Sequence, residues 1–348
     1  MKSVVVCAAQ APFVTGGAEI LVRELAAQLC RRGLRVDVVA LPFHGYPPSE
    51  AVRQGLAWRL VELRHTDGRA PDLVIPTKFP SYLVEHPNKV AWLFHQYREA
   101  YDLVGTAHSP LADTAEDRAV LEDVRALDAA ALGECRRLFA ISRNVASRLA
   151  RFNGLAADAL YPPPPQLGRY RSEDYGDYLL WAGRLEPVKR PELALRALAA
   201  SGPGVRLKLA GTGPLEADLR RLAAELGVAD RVELLGFVPD EALLALYAGC
   251  RAVLYAPVDE DYGYVPVEAF LSRRPVLTTG DAGGPLEFVE DGVTGLVRPP
   301  EPAALAEAID TVFARPPRAL REMGELGRAR CASITWEAVV DALAGSPA

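Results

Sequence analysis

One rhythm, written twice, limits what this chain can fold into. Residues 4–8 (VVVCA) form a short apolar run, a loop with Gly16 and Gly17 follows, and Leu21, Leu25 and Leu29 then recur at helical spacing until Gly33 closes the pattern. A strand that feeds a helix through a short loop is the repeating unit of a parallel sheet, because the crossover must cover one face before the next strand can pair. Apolar runs at 36–41, 72–76, 90–94 and 138–141 continue the series, as strands buried on both faces require. The segment YPPPPQLGRY, 161–170, then breaks the rhythm, since consecutive prolines can continue neither a helix nor a central strand.

After the break the alternation resumes. Strands are expected at 178–182 (YLLWA), 205–210, 232–235, 252–255 and 275–278, with helices at 191–200, 215–226, 240–248, 266–271 and 302–313. The fold class is therefore α/β, with two Rossmann-like, doubly wound parallel-sheet domains facing a central cleft. The first is expected over 1–165 and the second over 172–332. In such sheets ligands sit beyond the carboxyl ends of the strands, which directs attention to the residues that follow each run.

Composition removes several alternatives. Half of the 348 residues are hydrophobic and 24% are charged, which suits folded domains rather than disorder. No apolar run approaches the roughly 20 residues of a spanning helix, and MKSVVVCAAQAPF lacks the features of a signal peptide, so a cytoplasmic location is expected with at most peripheral membrane contact. The net charge of −6 argues against nucleic acid as a partner. Cys7, Cys30, Cys135, Cys250 and Cys331 are widely spaced and read as buried thiols, without a disulfide framework or a zinc site.

Four motifs carry chemistry. YLLWA runs into Gly183-Arg184, with Lys189 five residues later, so two cations are expected at one strand end, where they suit a diphosphate; two solvated surface cations are the alternative. AGTGPLE, from Ala210 to Glu216, places Gly211 in a tight turn before a helix, but Glu216 stands where a dinucleotide fingerprint needs its third glycine. Gly16 and Gly17 precede a helix without the ending of a P-loop, and let backbone N–H groups approach an anion or a sugar.

The fourth motif, DEDYGYVPVEAF, holds two glutamates eight positions apart around a tight tip. Pro266 is expected in the first turn of a helix, with Glu268 in that turn and Glu260 in the loop. A carboxylate accepts two hydrogen bonds from a vicinal diol, so the pair suits ribose and sugar hydroxyls. The N–H groups of Tyr262, Gly263, Tyr264 and Val265 would face a diphosphate. The alternatives are a helix-dipole acid for Glu268 and an exposed charge for Glu260. Asp259-Glu260-Asp261 also spells D-x-D, but without a further ligand cluster no metal is expected.

These pieces resemble a retaining glycosyltransferase of family 4, with the two-domain GT-B fold. The likeness runs through AGRLEPVKRPELAL, LAGTGPLEADLRRLAAELG, EDYGYVPVE and GGPLEFVEDGVTGLVRPP, covering nearly all of 178–313, and the Gly16-Gly17 loop and SRNVASRL agree in the first half. TWEAVVDAL resembles the last helix of such enzymes, which returns to the N-terminal domain over about 333–348.

The resemblance implies an acceptor-binding first domain and a donor-binding second one. The co-substrate would be a nucleotide-diphosphate sugar (UDP, GDP or another base), with no other cofactor and no metal; the acceptor would be a sugar, a lipid-linked sugar or a small molecule. Arg184 and Lys189 would bind the diphosphate, Glu268 the ribose and Glu260 the donor sugar. Phe237 and Val238 would flank the base, and Gly16 and Gly17 would lie beside the phosphates and the acceptor. His95, at the end of VAWLF, matches a histidine aimed at the donor sugar, against the alternative of a near-core side chain. Lys78, Tyr97, Arg98 and Tyr101, in the aromatic and basic stretch 77–103, suit an acceptor wall, or else pack a helix on the sheet. An epimerase or hydrolase of the same fold and a non-catalytic sugar-nucleotide-binding protein are the alternatives, and an NAD-dependent oxidoreductase ranks below them.

Overall fold

The computed structural model describes residues 2–13, 16–45, 47–64, 69–106 and 114–345, with only the backbone of Pro48. Two compact units divide the chain: Met1–Pro165 with Ile334–Ala348, and Gln166–Ser333. His65, His108 and the last three residues of the expected C-terminal helix lie outside the described residues.

The first unit opens with β1 (Ser3–Gln10), α1 (Gly17–Arg31) and β2 (Arg35–Pro42). Leu21, Val22, Leu25 and Leu29 form the buried stripe of α1, and Gly33, at φ 82°, provides the left-handed residue that ends it. Then come α2 (Pro48–Arg59), β3 (Leu73–Pro76), β4 (Val90–Leu93), α3 (Ala115–Gly133), β5 (Arg137–Ala140), α4 (Arg143–Asn153) and the two-residue β6 (Asp158–Ala159). The strands run parallel in the order β2-β1-β3 and β4-β5-β6, and the bridge between Val74 and Lys89 joins the two groups. β1 is buried except at its ends while β2, on the edge, is largely exposed, so the uninterrupted apolar run marks the central strand.

The second unit contains β7 (Tyr178–Ala182), α5 (Pro191–Ala200), β8 (Arg206–Ala210), α6 (Glu216–Glu225), β9 (Val232–Gly236), α7 (Asp240–Gly249), β10 (Ala252–Leu254), α8 (Tyr264–Leu271), β11 (Val276–Thr279), β12 (Gly295–Arg298), α9 (Pro302–Ala314) and α10 (Pro317–Arg330). Its six strands are parallel in the order β12-β11-β10-β7-β8-β9. A core of Trp181, Leu195, Leu209, Leu254, Leu305 and Ile309, among others, fills the space between the sheet and its helices. The chain then returns to the first unit through α11 (Trp336–Ala344), where Trp336 meets Trp92 edge-on at 6.4 Å and Lys2 Nζ donates to the Ala344 carbonyl at 2.8 Å.

Several expectations need correction. α8 begins at Tyr264, two residues before Pro266, so Glu268 lies just beyond the first turn. Cys30 is exposed and Cys135 partly so, because Cys30 falls on the outer face of α1; Cys7, Cys250 and Cys331 are buried. The stretch 98–100 forms a single 3-10 turn rather than a longer helix. Of the unexpected elements, α10 bears on the site: a Cβ on Gly327 would lie 2.1 Å from Phe270 Cδ1, so the missing side chain lets α10 lie against α8.

Candidate functional site

In the second unit the telling residues gather at the carboxyl ends of β7, β8 and β10. β7 leads into Gly183 and Arg184, and a 3-10 turn, Pro187–Lys189, aims Lys189 back at the loop after β10. There Lys189 Nζ makes a tight ion pair with Glu260 Oε2 and lies 3.4 Å from Tyr255 Oη, while Tyr255 donates to the same carboxylate oxygen at 3.0 Å. Both ion-pair partners are mostly shielded, with side-chain exposures of 16% and 18%, which makes the interaction stronger than a surface pair of the same geometry. Arg184 faces outward at 60% exposure and pairs with Glu186 at 2.7 Å. The next residue, Arg190, forks onto Asp281 at 3.0 and 2.7 Å and fixes the turn to the loop after β11.

Gly211 has a structural task at this edge. Its φ is 147°, and a Cβ would lie 1.8 Å from the Gly183 carbonyl oxygen, so only glycine lets the turn after β8 lie against the turn after β7. Its N–H donates to the Gly236 carbonyl at 2.8 Å. Phe237, in the loop after β9, stands 80% exposed, with Val238 half-buried beside it.

The loop after β10 folds onto the sheet through backbone bonds from Asp259 and Glu260 to the carbonyls of Asp281 and Ala282, at 2.9 Å each. Gly263, at φ 78°, is the N-cap of α8 and has no side chain to bond the first-turn N–H groups, while Pro266 removes one of them. Tyr262 is buried with its ring edge-on to Tyr264 at 5.4 Å and to Phe288 at 5.7 Å, and Val265 is buried as well.

Glu268 is held differently from Glu260. Tyr170 donates to Oε1 at 3.1 Å and Tyr247 to Oε2 at 2.7 Å, while part of the residue remains accessible. Burial raises the carboxyl above its ordinary range, Asp240 adds to the rise, and the two phenol hydrogen bonds oppose it.

Sequence reasoning missed the residues that hold this pair. Tyr247 carries a signal: it stands three positions after Leu244 on the buried face of α7, where a phenol needs a partner for its hydroxyl. Tyr255 ends an apolar run and reads as strand. Tyr170 lies in the irregular stretch after the prolines, where no local pattern indicates its contact.

The first unit's candidates fall into three places. Gly16 caps α1, and its N–H donates to Glu19 Oε2 at 2.9 Å; Glu19 also accepts from Lys78 Nζ at 3.1 Å, so a carboxylate of the chain already occupies the anion position at this helix start. A cavity of about 220 Å³ lies beside the pair between α1, β1 and β2, with Gln10 and Arg23 at its polar side. His95 is half-buried, with Nδ1 2.7 Å from the Gln96 carbonyl oxygen. Tyr97 and Tyr101 are only 4% and 5% exposed. Their hydroxyls bond the Gly45 carbonyl at 2.7 Å and Asp128 Oδ2 at 2.8 Å, and Arg98 pairs with Asp102 at 2.5 Å. These three side chains bond partners within the first unit. Among the described residues, no three His, Cys, Asp or Glu side chains gather as a metal site would need.

Comparisons with known proteins bear on the family of the chain. The family model Glycosyl transferases group 1 matches residues 169–330, and Glycosyltransferase Family 4 matches 15–161. A D-inositol 3-phosphate glycosyltransferase of Geodermatophilus obscurus is 30% identical over 392 aligned positions, covering 94% of this chain and 83% of that protein. Among solved structures, the sucrose-phosphate synthase of Thermosynechococcus elongatus superposes with a TM-score of 0.71 at 22% identity over 96% of both chains. Anabaena Alr3699/HepE, solved in complex with UDP-glucose, superposes with a TM-score of 0.68 at 19% identity over 98% of both. The chain belongs to glycosyltransferase family 4: it is a GT-B glycosyltransferase that moves a sugar from a nucleotide sugar to an acceptor.

Proposed function

We propose that the second unit holds the donor and that the sugar is transferred with retention of its anomeric configuration, without a metal ion. The observation that carries this reading is the Lys189, Tyr255 and Glu260 cluster at the strand ends. An ammonium group there meets the negative charge that grows on the departing nucleoside diphosphate. On donor binding Lys189 exchanges Glu260 for a phosphate oxygen, and Glu260 accepts hydrogen bonds from the donor sugar. Arg184 supplies the second cation, Glu268 takes the ribose hydroxyls, and Phe237 and Val238 flank the base. The N–H groups of Tyr262 to Val265 and the start of α8 add positive potential toward the diphosphate.

Retention follows if the acceptor enters on the face that the diphosphate leaves. The bond from the anomeric carbon to the phosphate oxygen breaks, a bond to the acceptor oxygen forms, and the acceptor's proton passes to the departing phosphate. His95 is assigned to turnover, and Gly16, Gly17 and Lys78 to the acceptor side of the first unit. The acceptor is a hydroxyl of a sugar, a lipid-linked sugar or a small molecule; the inositol phosphate in the relative's name is one member of that class. Among the described residues no helix is long and apolar enough to cross a membrane, and a cytoplasmic site of action fits nucleotide-sugar chemistry.

Product analysis tests the reading. Incubation with UDP- and GDP-sugars and a panel of polyol and glycoside acceptors, with and without EDTA, is expected to give a glycoside with the donor's anomeric configuration at an unchanged rate in EDTA. Free monosaccharide alone, an epimerised nucleotide sugar, an inverted product or loss of activity in EDTA would overturn it.

A further inference from the structure

Glu268 is placed by two phenols from separate parts of the second unit, and that geometry says more than its implied role requires. Tyr170 comes from the irregular segment before β7, and Tyr247 from the buried face of α7, where it is fully enclosed. Their rings meet edge-on at 6.3 Å, so each fixes the other as well as the carboxylate. Each phenol gives its single proton to a different oxygen of Glu268. A carboxylate has about four lone-pair sites on its two oxygens; one on each is taken, and one on each is left. Two further acceptor positions suit a vicinal diol, whose two hydroxyls would both act as donors. A protonated Glu268 would have to give its own proton away at a site where two donors already point at it.

We propose that Tyr170 and Tyr247 are positioning residues for nucleotide recognition, holding Glu268 as an ionised, acceptor-only carboxylate turned toward the two hydroxyls of a ribose. This inference rests on the donor reading of Glu268 given above. The groups that face Glu268 are Tyr170, Tyr247 and Asp240, with Tyr264 one turn earlier on α8 and Tyr255 at the end of β10. Burial and, to a smaller extent, Asp240 work against ionisation, and the two phenol hydrogen bonds work for it.

The test uses Tyr247→Phe, Tyr170→Phe and Glu268→Gln of the full chain, with binding of UDP, GDP and their 2′-deoxyribose counterparts measured by titration calorimetry across pH 5 to 8. Wild type is expected to bind one ribonucleotide with an affinity that falls as pH drops through an acidic limb, because protonation removes the acceptor. Loss of either phenol removes a hydrogen bond to the charged form. It therefore moves that limb up by about one pH unit and narrows the preference for ribose over 2′-deoxyribose. A structural role alone would lower stability without moving the limb, and melting temperatures of the unliganded variants report that separately. A limb and a ribose preference unchanged in both phenylalanine variants, while Glu268→Gln loses binding, overturns the positioning role alone. Wild-type binding by Glu268→Gln overturns the donor reading beneath it.

Discussion

Each unit holds one carboxylate gripped by two tyrosines, and the two grips have different consequences. In the first unit Asp128 accepts from Tyr82 and Tyr101, at 2.8 Å each, and is completely sealed at 0% exposure. In the second, Glu268 accepts from Tyr170 and Tyr247 and keeps part of its surface open. Burial pushes Asp128 up to about 7, against the pull of Tyr101 and Tyr82, and raises Glu268 against the same kind of pull. Asp128 has no outlet, so its hydrogen bonds tie the turns that carry Tyr82 and Tyr101 to α3 as packing. Glu268 is not fully sealed, and a ligand is proposed to meet it there. Under the proposed donor reading, similar local chemistry would serve structure in one unit and recognition in the other, and residue type alone does not say which.

The comparison breaks or sharpens under substitution. The largest effect is expected in the same unit at the Lys189–Glu260 pair: Lys189→Ala should lower kcat on the order of 10²-fold or more while the melting temperature changes little, read by steady-state kinetics and calorimetry. Glu268→Ala should weaken binding of the nucleoside diphosphate roughly 10- to 100-fold, whereas Asp128→Asn should leave that affinity unchanged. Asp128 should instead govern stability against pH. Its folded value of about 7 exceeds the ordinary 3.8, so between these values the folded state holds a proton that the unfolded state releases. Unfolding free energy therefore falls as pH rises from about 4 to about 7 and levels off above, with a slope up to about 1.4 kcal/mol per pH unit. Asp128→Asn should flatten that slope in denaturant titrations. The smallest effect belongs to Tyr97→Phe, which should cost about 1 kcal/mol of stability and leave the acceptor KM unchanged, since its hydroxyl serves Gly45. A large rise in acceptor KM would return Tyr97 to the acceptor wall.

Strand positions are legible in the sequence, and side-chain partners are not. Apolar runs and glycine stops locate most strands of both units, because parallel strands buried on both faces leave a continuous signal. Helices α2, α3 and α10 escaped notice, since their charged faces dilute the apolar spacing and α10 depends on glycines packed against α8. At the candidate site, the placement of Lys189 and Glu260 beyond strand ends was legible in their spacing, and the structure pairs them. The partners of the glutamates were not, because Tyr170 lies 98 positions from Glu268 and Tyr247 lies 21 from it. Such contacts are set by the fold, and local periodicity carries no trace of them. Within 77–103, Tyr97, Arg98 and Tyr101 show the converse: their composition suggests a ligand, while their polar atoms bond Gly45, Asp102 and Asp128.

The most direct measurement is a thermal-shift titration of wild type and Glu268→Ala with UDP-, GDP-, ADP-, dTDP- and CDP-sugars, with and without EDTA. A ligand that binds only the folded protein raises its melting temperature. Donor binding by the second unit predicts stabilisation of wild type by one nucleotide sugar, unaffected by EDTA and largely lost in Glu268→Ala. Equal stabilisation of both proteins, or none of wild type by any of the five, would contradict it.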